Sequence, residues 1–103
     1  MQILIIDDHT IIRRGVRNLL MERYPNAMID DRCTLAQAEA AMAGNRSCLA
    51  ILDLILGDGH AFDRLAEWRS KYPNTRILVY SMVPEHLYAE RVVALGCSGF
   101  LSK

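Results

Sequence analysis

Lysine is nearly missing from this chain: Lys71 and Lys103 are the only two among 12 basic residues. Arginine therefore carries the positive charge, and 12 acidic residues balance it to a formal net charge of zero. That balance argues against a broad face for nucleic acid or an anionic membrane. Cysteine is also sparse, with Cys33, Cys48 and Cys97 widely separated and no CxxC pair. An odd, scattered set fits neither a disulfide framework nor a zinc site, so buried reduced thiols in a cytoplasmic protein are expected. No apolar run is long enough for a membrane span, and the opening MQILIIDD lacks the basic flank of a signal peptide. Repeats, low-complexity stretches and linkers are absent as well. The 103 residues are the size of one domain with a modest core.

What is present is an alternation of two patterns. Ile3-Leu-Ile-Ile6 is a β-branched aliphatic run stopped by Asp7-Asp8, and it reads as a buried strand. From Thr10, apolar Ile12, Val16, Leu19 and Leu20 oppose Arg13, Arg14, Arg17 and Arg23 at helical spacing, up to Pro25. Ala27-Met-Ile29 gives a weaker strand signal. Thr34-Leu-Ala-Gln37 matches a capping box, and Leu35, Ala38 and Met42 continue a helix closed by Gly44. Leu49 to Leu56 reads as the second strong strand, and Gly57-Asp-Gly59 as a turn. Phe62, Leu65, Ala66, Trp68 and Arg69 form a further helix before Pro73, and Arg76–Tyr80 a strand. Pro84 at a first helical position and Gly96 beyond the end bracket a last helix. Gly99–Ser102 begins a fifth strand. This β-α-β-α-β-α-β-α-β order, with strands apolar on both faces, implies a parallel sheet covered on both sides. In such sheets ligands bind beyond the carboxyl ends of the strands.

The polar residues collect at that edge. Asp7 and Asp8 follow the first strand, Asp53 interrupts the apolar run LAILDLIL, Ser81 follows the fourth strand and Lys103 the fifth. A carboxylate in an apolar run must be paired, bind a metal or stay neutral. Three close carboxylates repel one another unless a cation joins them. Hard oxygen donors without His or Cys at matching spacing suit Mg²⁺. Lys103 then serves as a phosphate partner and Ser81 as a donor to a phosphoryl oxygen. An aspartate so placed is chemically suited to attack phosphorus.

On these motifs, LIIDDH, LAILDL, ILVYSM and GFLSK, the whole chain resembles the receiver domain of two-component response regulators. DDHTIIRRGVRNLL and CSGFLSK look most like the NarL/FixJ subfamily, whose members usually add a LuxR-type helix-turn-helix domain. The resemblance implies a flavodoxin-like fold, a doubly wound five-stranded parallel sheet in the order 2-1-3-4-5. It implies that Asp53 is the phosphoacceptor, served by a sensor histidine kinase. Asp8 would bind Mg²⁺ directly, Asp7 mainly through water, and the backbone carbonyl of Ile55 would be a further ligand. Ser81 would be the switch hydroxyl, Lys103 the phosphate-binding lysine and Phe100 the aromatic switch residue.

The chain also departs from that pattern. Gly57 and Ala61 stand where the family often has proline and glycine, Met82 replaces a small residue after the hydroxyl, and Phe100 lacks a tyrosine hydroxyl. The family's last helix would follow Lys103, so residues 1–103 are expected to be a receiver truncated before it. That leaves one sheet face half bare, and contact with DNA falls to a domain beyond this sequence. Homodimerisation is a further expectation. Singly, the residues have plainer readings: Asp7 and Asp8 as helix caps, Asp53 in a structural salt bridge, Lys103 as a frayed terminus. His9, His60 and Cys97 share no ligand spacing and are expected to be solvated or packed, with His9 near enough to the acidic pair to tune it. Arg13, Arg14 and Arg17 are expected as a solvated face open to a kinase. Two other functions fit in part: a Mg²⁺-dependent phosphohydrolase with an aspartyl nucleophile, which Ile55 disfavours because such enzymes place an aspartate there, and a phosphorylation-independent dimerisation module.

Overall fold

A computed structural model describes residues 1–44 and 48–103. The main-chain order is β1 (Gln2–Ile6), α1 (Thr10–Arg23), β2 (Met28–Arg32), α2 (Leu35–Gly44), β3 (Cys48–Leu52), β4 (Ile55–Leu56), β5 (Gly59–His60), a 3₁₀ turn (Ala61–Arg64), α3 (Leu65–Lys71), β6 (Thr75–Ser81), α4 (Glu85–Ala94) and β7 (Gly99–Ser102). Five strands form one sheet in the order β2-β1-β3-β6-β7, with every neighbouring pair parallel. Counting only its strands in chain order, this is the expected 2-1-3-4-5. The order reverses between β1 and β3, so the crevice at their carboxyl ends is the switch point.

The two sheet faces differ in cover. Leu4 and Ile6 of β1, Cys48, Ala50 and Leu52 of β3, and Ile77 and Val79 of β6 pack against Leu35, Ala38 and Met42 of α2, Leu65 and Trp68 of α3, and Val92 of α4. On the other face lies α1, which buries no residue fully. Beside it an apolar groove of about 200 Å³ opens between Val16, Leu19 and Leu20 of α1 and Ile51, Leu78, Tyr80 and Leu101 of the sheet. Leu19 and Leu101, at its rim, are exposed.

Three local expectations need correction. The run from Leu49 to Leu56 is not one strand: β3 stops at Leu52, and Ile55–Leu56 turns back on Gly59–His60 as a small antiparallel hairpin. Leu54 and Leu56 are buried by that return, so the apolar run continues although the strand does not. Pro84 is the N-cap of α4, in extended backbone, and the helix proper starts at Glu85. Of the thiols, Cys48 and Cys97 are buried but Cys33 is only half-buried.

Helix ends follow the sequence more closely. At α4, Cys97 N–H donates to Val92 and Gly96 N–H to Val93, the paired pattern of a glycine-terminated helix. Gly96 sits at φ +96°, where a side chain is strained. At α2, Thr34 Oγ1 accepts from Gln37 N–H, while Gln37 Oε1 accepts from Cys33 N–H, one residue before its usual capping-box partner. The next two free amides of α2, Leu35 and Ala36, donate to the carboxylate of Asp58, at 2.8 and 3.3 Å. The turn after β4 is thereby tied to α2.

Candidate functional site

The site grows out of two strand ends. β1 delivers Asp7, whose N–H still donates to Arg32 of β2, and β3 delivers Asp53, whose N–H donates to Ile6 of β1. Both carboxylates leave the sheet just where the ladder ends, and both are buried, at 3% and 4% exposure. Burial at that level costs a carboxylate several kcal/mol in order of magnitude unless it is paired. Ser81 Oγ at the end of β6 donates to Asp53 Oδ1 at 2.6 Å. Lys103 Nζ, just past β7, lies 2.7 Å from Asp7 Oδ2 and 3.0 Å from Asp53 Oδ2.

Lys103 is held by backbone as well, since its N–H donates to Ser81 C=O at 3.0 Å. Its side chain is 7% exposed, which overturns the frayed-terminus reading. Burial alone would lower its pKa, but the hydrogen bonds to Asp7 and Asp53 outweigh that and hold it above the ordinary lysine value. The ammonium is therefore charged at neutral pH.

Asp8 points to the rim, with its side chain about one-third exposed, and Gly57 of the β4–β5 turn lies close to it: a Cβ there would be 3.9 Å from Asp8 Oδ2. Neither Asp7 nor Asp8 caps α1. The N-cap is His9, with no side-chain cap bond, and Asp7 accepts the His9 N–H instead. Ile55 begins β4, exposed, and its N–H faces Asp53 Oδ1 at a long 3.4 Å. Phe100 of β7, paired with Val79, is half-buried against the main core. Met82, immediately after Ser81, is 78% exposed.

Two further residues enter the site, one of them His9, which the sequence places near enough to the acidic pair to tune it. The His9 ring, expected to be solvated or packed, places Nδ1 2.8 Å from Asp7 Oδ1, 3.2 Å from Asp8 Oδ1 and 3.7 Å from Asp53 Oδ2. Arg13, expected on a solvated face, donates from its guanidinium to the Asp7 carbonyl at 2.7 Å. The only sequence signal for either is closeness to the acidic pair, since ring and guanidinium direction depend on how the chain enters α1. His60 and Cys97 lie elsewhere: His60 accepts from Phe62 N–H and stacks on Tyr88, and burial pushes the Cys97 thiol up to about 11.

Chemically, the three carboxylates outnumber the two fixed cations at the site, Lys103 and the Arg13 guanidinium, which leaves excess negative charge at the sheet edge. Ligand atoms from Asp7, Asp8, His9 and Asp53 lie within 4.8 Å of one another. This donor set, mostly hard carboxylate oxygen, fits a divalent cation such as Mg²⁺. Among the described residues no helix is long and apolar enough to cross a membrane.

Comparison with known proteins agrees with this geometry. The family model described as the response regulator receiver domain matches residues 3–103. The chain is 26% identical over 102 residues to the DNA-binding transcriptional activator DevR/DosR of Mycobacterium tuberculosis, covering 99% of this chain and 47% of that one. It is 32% identical over 104 residues to the Fimbriae Z protein of Salmonella typhimurium, covering 98% and 48%. The chain thus spans about half the length of the curated relatives it matches. Among solved structures, a response regulator protein from Burkholderia pseudomallei, with a phosphorylated aspartic acid, a calcium ion and citrate, superposes with a TM-score of 0.86 at 21% identity. That match covers 99% of this chain and 59% of the other. With the sheet order, the acidic edge and the family match in agreement, the chain belongs to the response regulator receiver domain family.

Proposed function

We propose that Asp53 is the phosphoacceptor of this receiver and that its phosphorylation is the signal the domain transmits. The observation that carries this reading is the posture of Asp53: buried, with one oxygen held by Ser81 and the other by Lys103, at the edge of the acidic cluster. In the transfer, a carboxylate oxygen of Asp53 attacks phosphorus, the bond from phosphorus to the donor's imidazole nitrogen breaks, and the imidazole leaves with that electron pair and takes up a proton. Lys103 keeps a fixed positive charge where the phosphoryl oxygens arrive, and the Ser81 hydroxyl is placed to donate to one of them. Asp8, Asp7, Asp53 and the Ile55 carbonyl would hold Mg²⁺, whose charge offsets that of the transferring group when bound. A phosphorylated aspartic acid and a calcium ion in the similar Burkholderia protein support the same assignment.

Once Ser81 is drawn toward a phosphoryl group, its bond to Asp53 is exchanged, and Phe100 on the adjacent strand is the ring that carries the change toward α4 and β7. This is a shift between two pre-existing states. The domain promotes its own phosphorylation without turning over a substrate. Its donor is a cytoplasmic sensor histidine kinase. Its output is a DNA-binding domain elsewhere in the whole protein, with homodimerisation as the intermediate step. Phosphohydrolase turnover is disfavoured because the residue two beyond Asp53 is Ile55, which moves no proton.

The test is incubation with acetyl phosphate and Mg²⁺, followed by intact-protein mass spectrometry. The wild type gains one phosphoryl group and Asp53→Asn gains none. Full labelling of Asp53→Asn overturns the assignment.

A further inference from the structure

Among the described residues His9 is the one imidazole at the acidic edge, and the expectation of an all-oxygen cation site did not include it. Its place is built by the backbone. β1 ends at Ile6, Asp7 and Asp8 cross the sheet edge, and His9 takes extended torsions (φ −89°, ψ 108°) as N-cap of α1. The ring is thereby turned over the carboxylates, not away from them. Nδ1 stands 2.8, 3.2 and 3.7 Å from oxygens of Asp7, Asp8 and Asp53, three residues delivered by two separate strands.

Those separations have a chemical meaning. Imidazole nitrogen and carboxylate oxygen bind Zn²⁺-sized ions at about 2.0–2.2 Å, so two neighbouring ligands of one ion lie about 3–3.7 Å apart. Nδ1 meets that spacing toward Asp8 and Asp53 and is only slightly closer to Asp7. The same nitrogen also makes a hydrogen bond to Asp7, so a proton shared there is what an ion would replace. The other two histidines stand outside this cluster: His60 Nδ1 accepts from Phe62 N–H, and His86 lies on α4. Imidazole adds little for Mg²⁺, which prefers oxygen and keeps its waters, but favours Zn²⁺, Co²⁺ and their neighbours.

We infer that His9 Nδ1 is a ligand of the divalent cation at this edge, making a mixed nitrogen–oxygen site that binds first-row transition ions more tightly than Mg²⁺. This rests on the reading of Asp7, Asp8 and Asp53 as a cation site. The consequence is competition: a transition ion held by His9 occupies the carboxylates that Mg²⁺ needs.

The experiment uses the metal-stripped protein with three separate probes. Co²⁺ is followed by its visible absorption, Zn²⁺ by displacement of Co²⁺, and Mg²⁺ by calorimetry. The expected result is that His9→Gln weakens Co²⁺ and Zn²⁺ at least about tenfold and changes the Co²⁺ spectrum, while Mg²⁺ affinity is unchanged. Circular dichroism checks that this exposed substitution leaves the fold intact, and His86→Gln, on α4, serves as a control that retains all three affinities. Unaltered Co²⁺ and Zn²⁺ binding in His9→Gln overturns the inference, as does a parallel loss of all three ions. The underlying reading fails separately, through Asp8→Asn: if that variant binds Mg²⁺ like the wild type, the carboxylates are not the cation site.

Discussion

Ser81 Oγ donates to Asp53 Oδ1 at 2.6 Å, joining the ends of β6 and β3 across 28 residues of sequence. Both groups are buried, so the bond is shielded from water and each partner depends on the other for satisfaction. Ser81→Ala is expected to lower stability by about 1–3 kcal/mol, read from urea denaturation, because Asp53 loses a buried donor. Acetyl phosphate labelling persists in this variant, since Asp53 and Lys103 remain. What disappears is the transmitted change, measurable as loss of the phosphorylation-dependent shift of a fluorine label on Phe100.

Lys103 reaches back 96 positions to Asp7 and is the fixed cation of the site. Lys103→Met leaves Asp7 and Asp53 buried without it, a loss of about 3–5 kcal/mol by analogy with other broken buried pairs. Millimolar Mg²⁺ restores part of the loss, because it supplies charge to the same carboxylates. In the wild type the folded-state pKa of Lys103 lies above its ordinary 10.5. Its contribution is therefore complete below pH 10.5 and is lost as pH rises through the higher folded value. Thermal melts from pH 7 upward should show the gap between wild type and Lys103→Met closing only in that alkaline window.

Asp58 gives the opposite sign. Its carboxylate accepts from Leu35 N–H first and Ala36 N–H second, and together they hold its pKa below the usual 3.8. The cap is present above pH 3.8 and is lost as pH falls through the lower folded value. Asp58→Ala should melt below the wild type at neutral pH, with the difference shrinking as the pH drops under 3.8.

Gly59 holds the other side of that turn. It adopts φ +150°, and a Cβ there would meet Leu35 Cδ1 at 2.9 Å. Gly59→Ala is expected to cost about 1–3 kcal/mol from backbone strain and contact together, seen as a lower urea midpoint.

How much of this the sequence discloses varies with how local the cause is. β1 and β6 are plain in the aliphatic runs Ile3–Ile6 and Ile77–Val79, although only β1 is buried on both faces and β6 is buried at alternate residues. β2 is faint because it is an edge strand carrying Asp30 and Asp31, which remain partly exposed. The run through Asp53 misleads because Leu54 and Leu56 are buried by a hairpin, and periodicity reports burial before it reports strand direction. The Asp58 cap crosses 23 residues and leaves no local trace. Asp7, Asp8, Asp53, Ser81 and Lys103 were legible because each ends a strand of a sheet whose chemistry collects at one edge. Of His9 the sequence discloses only its nearness to the acidic pair, because its ring direction follows from the torsions at the entry to α1.

Of the three adjacent carboxylates, Asp53 is the one proposed to carry the phosphoryl group. The direct measurement is borohydride reduction of the acetyl phosphate-treated protein, which converts an aspartyl phosphate to homoserine, followed by peptide sequencing in the mass spectrometer. Homoserine at position 53 alone is the predicted result; homoserine at position 7 or 8, or a phosphoryl group on His9, would contradict it.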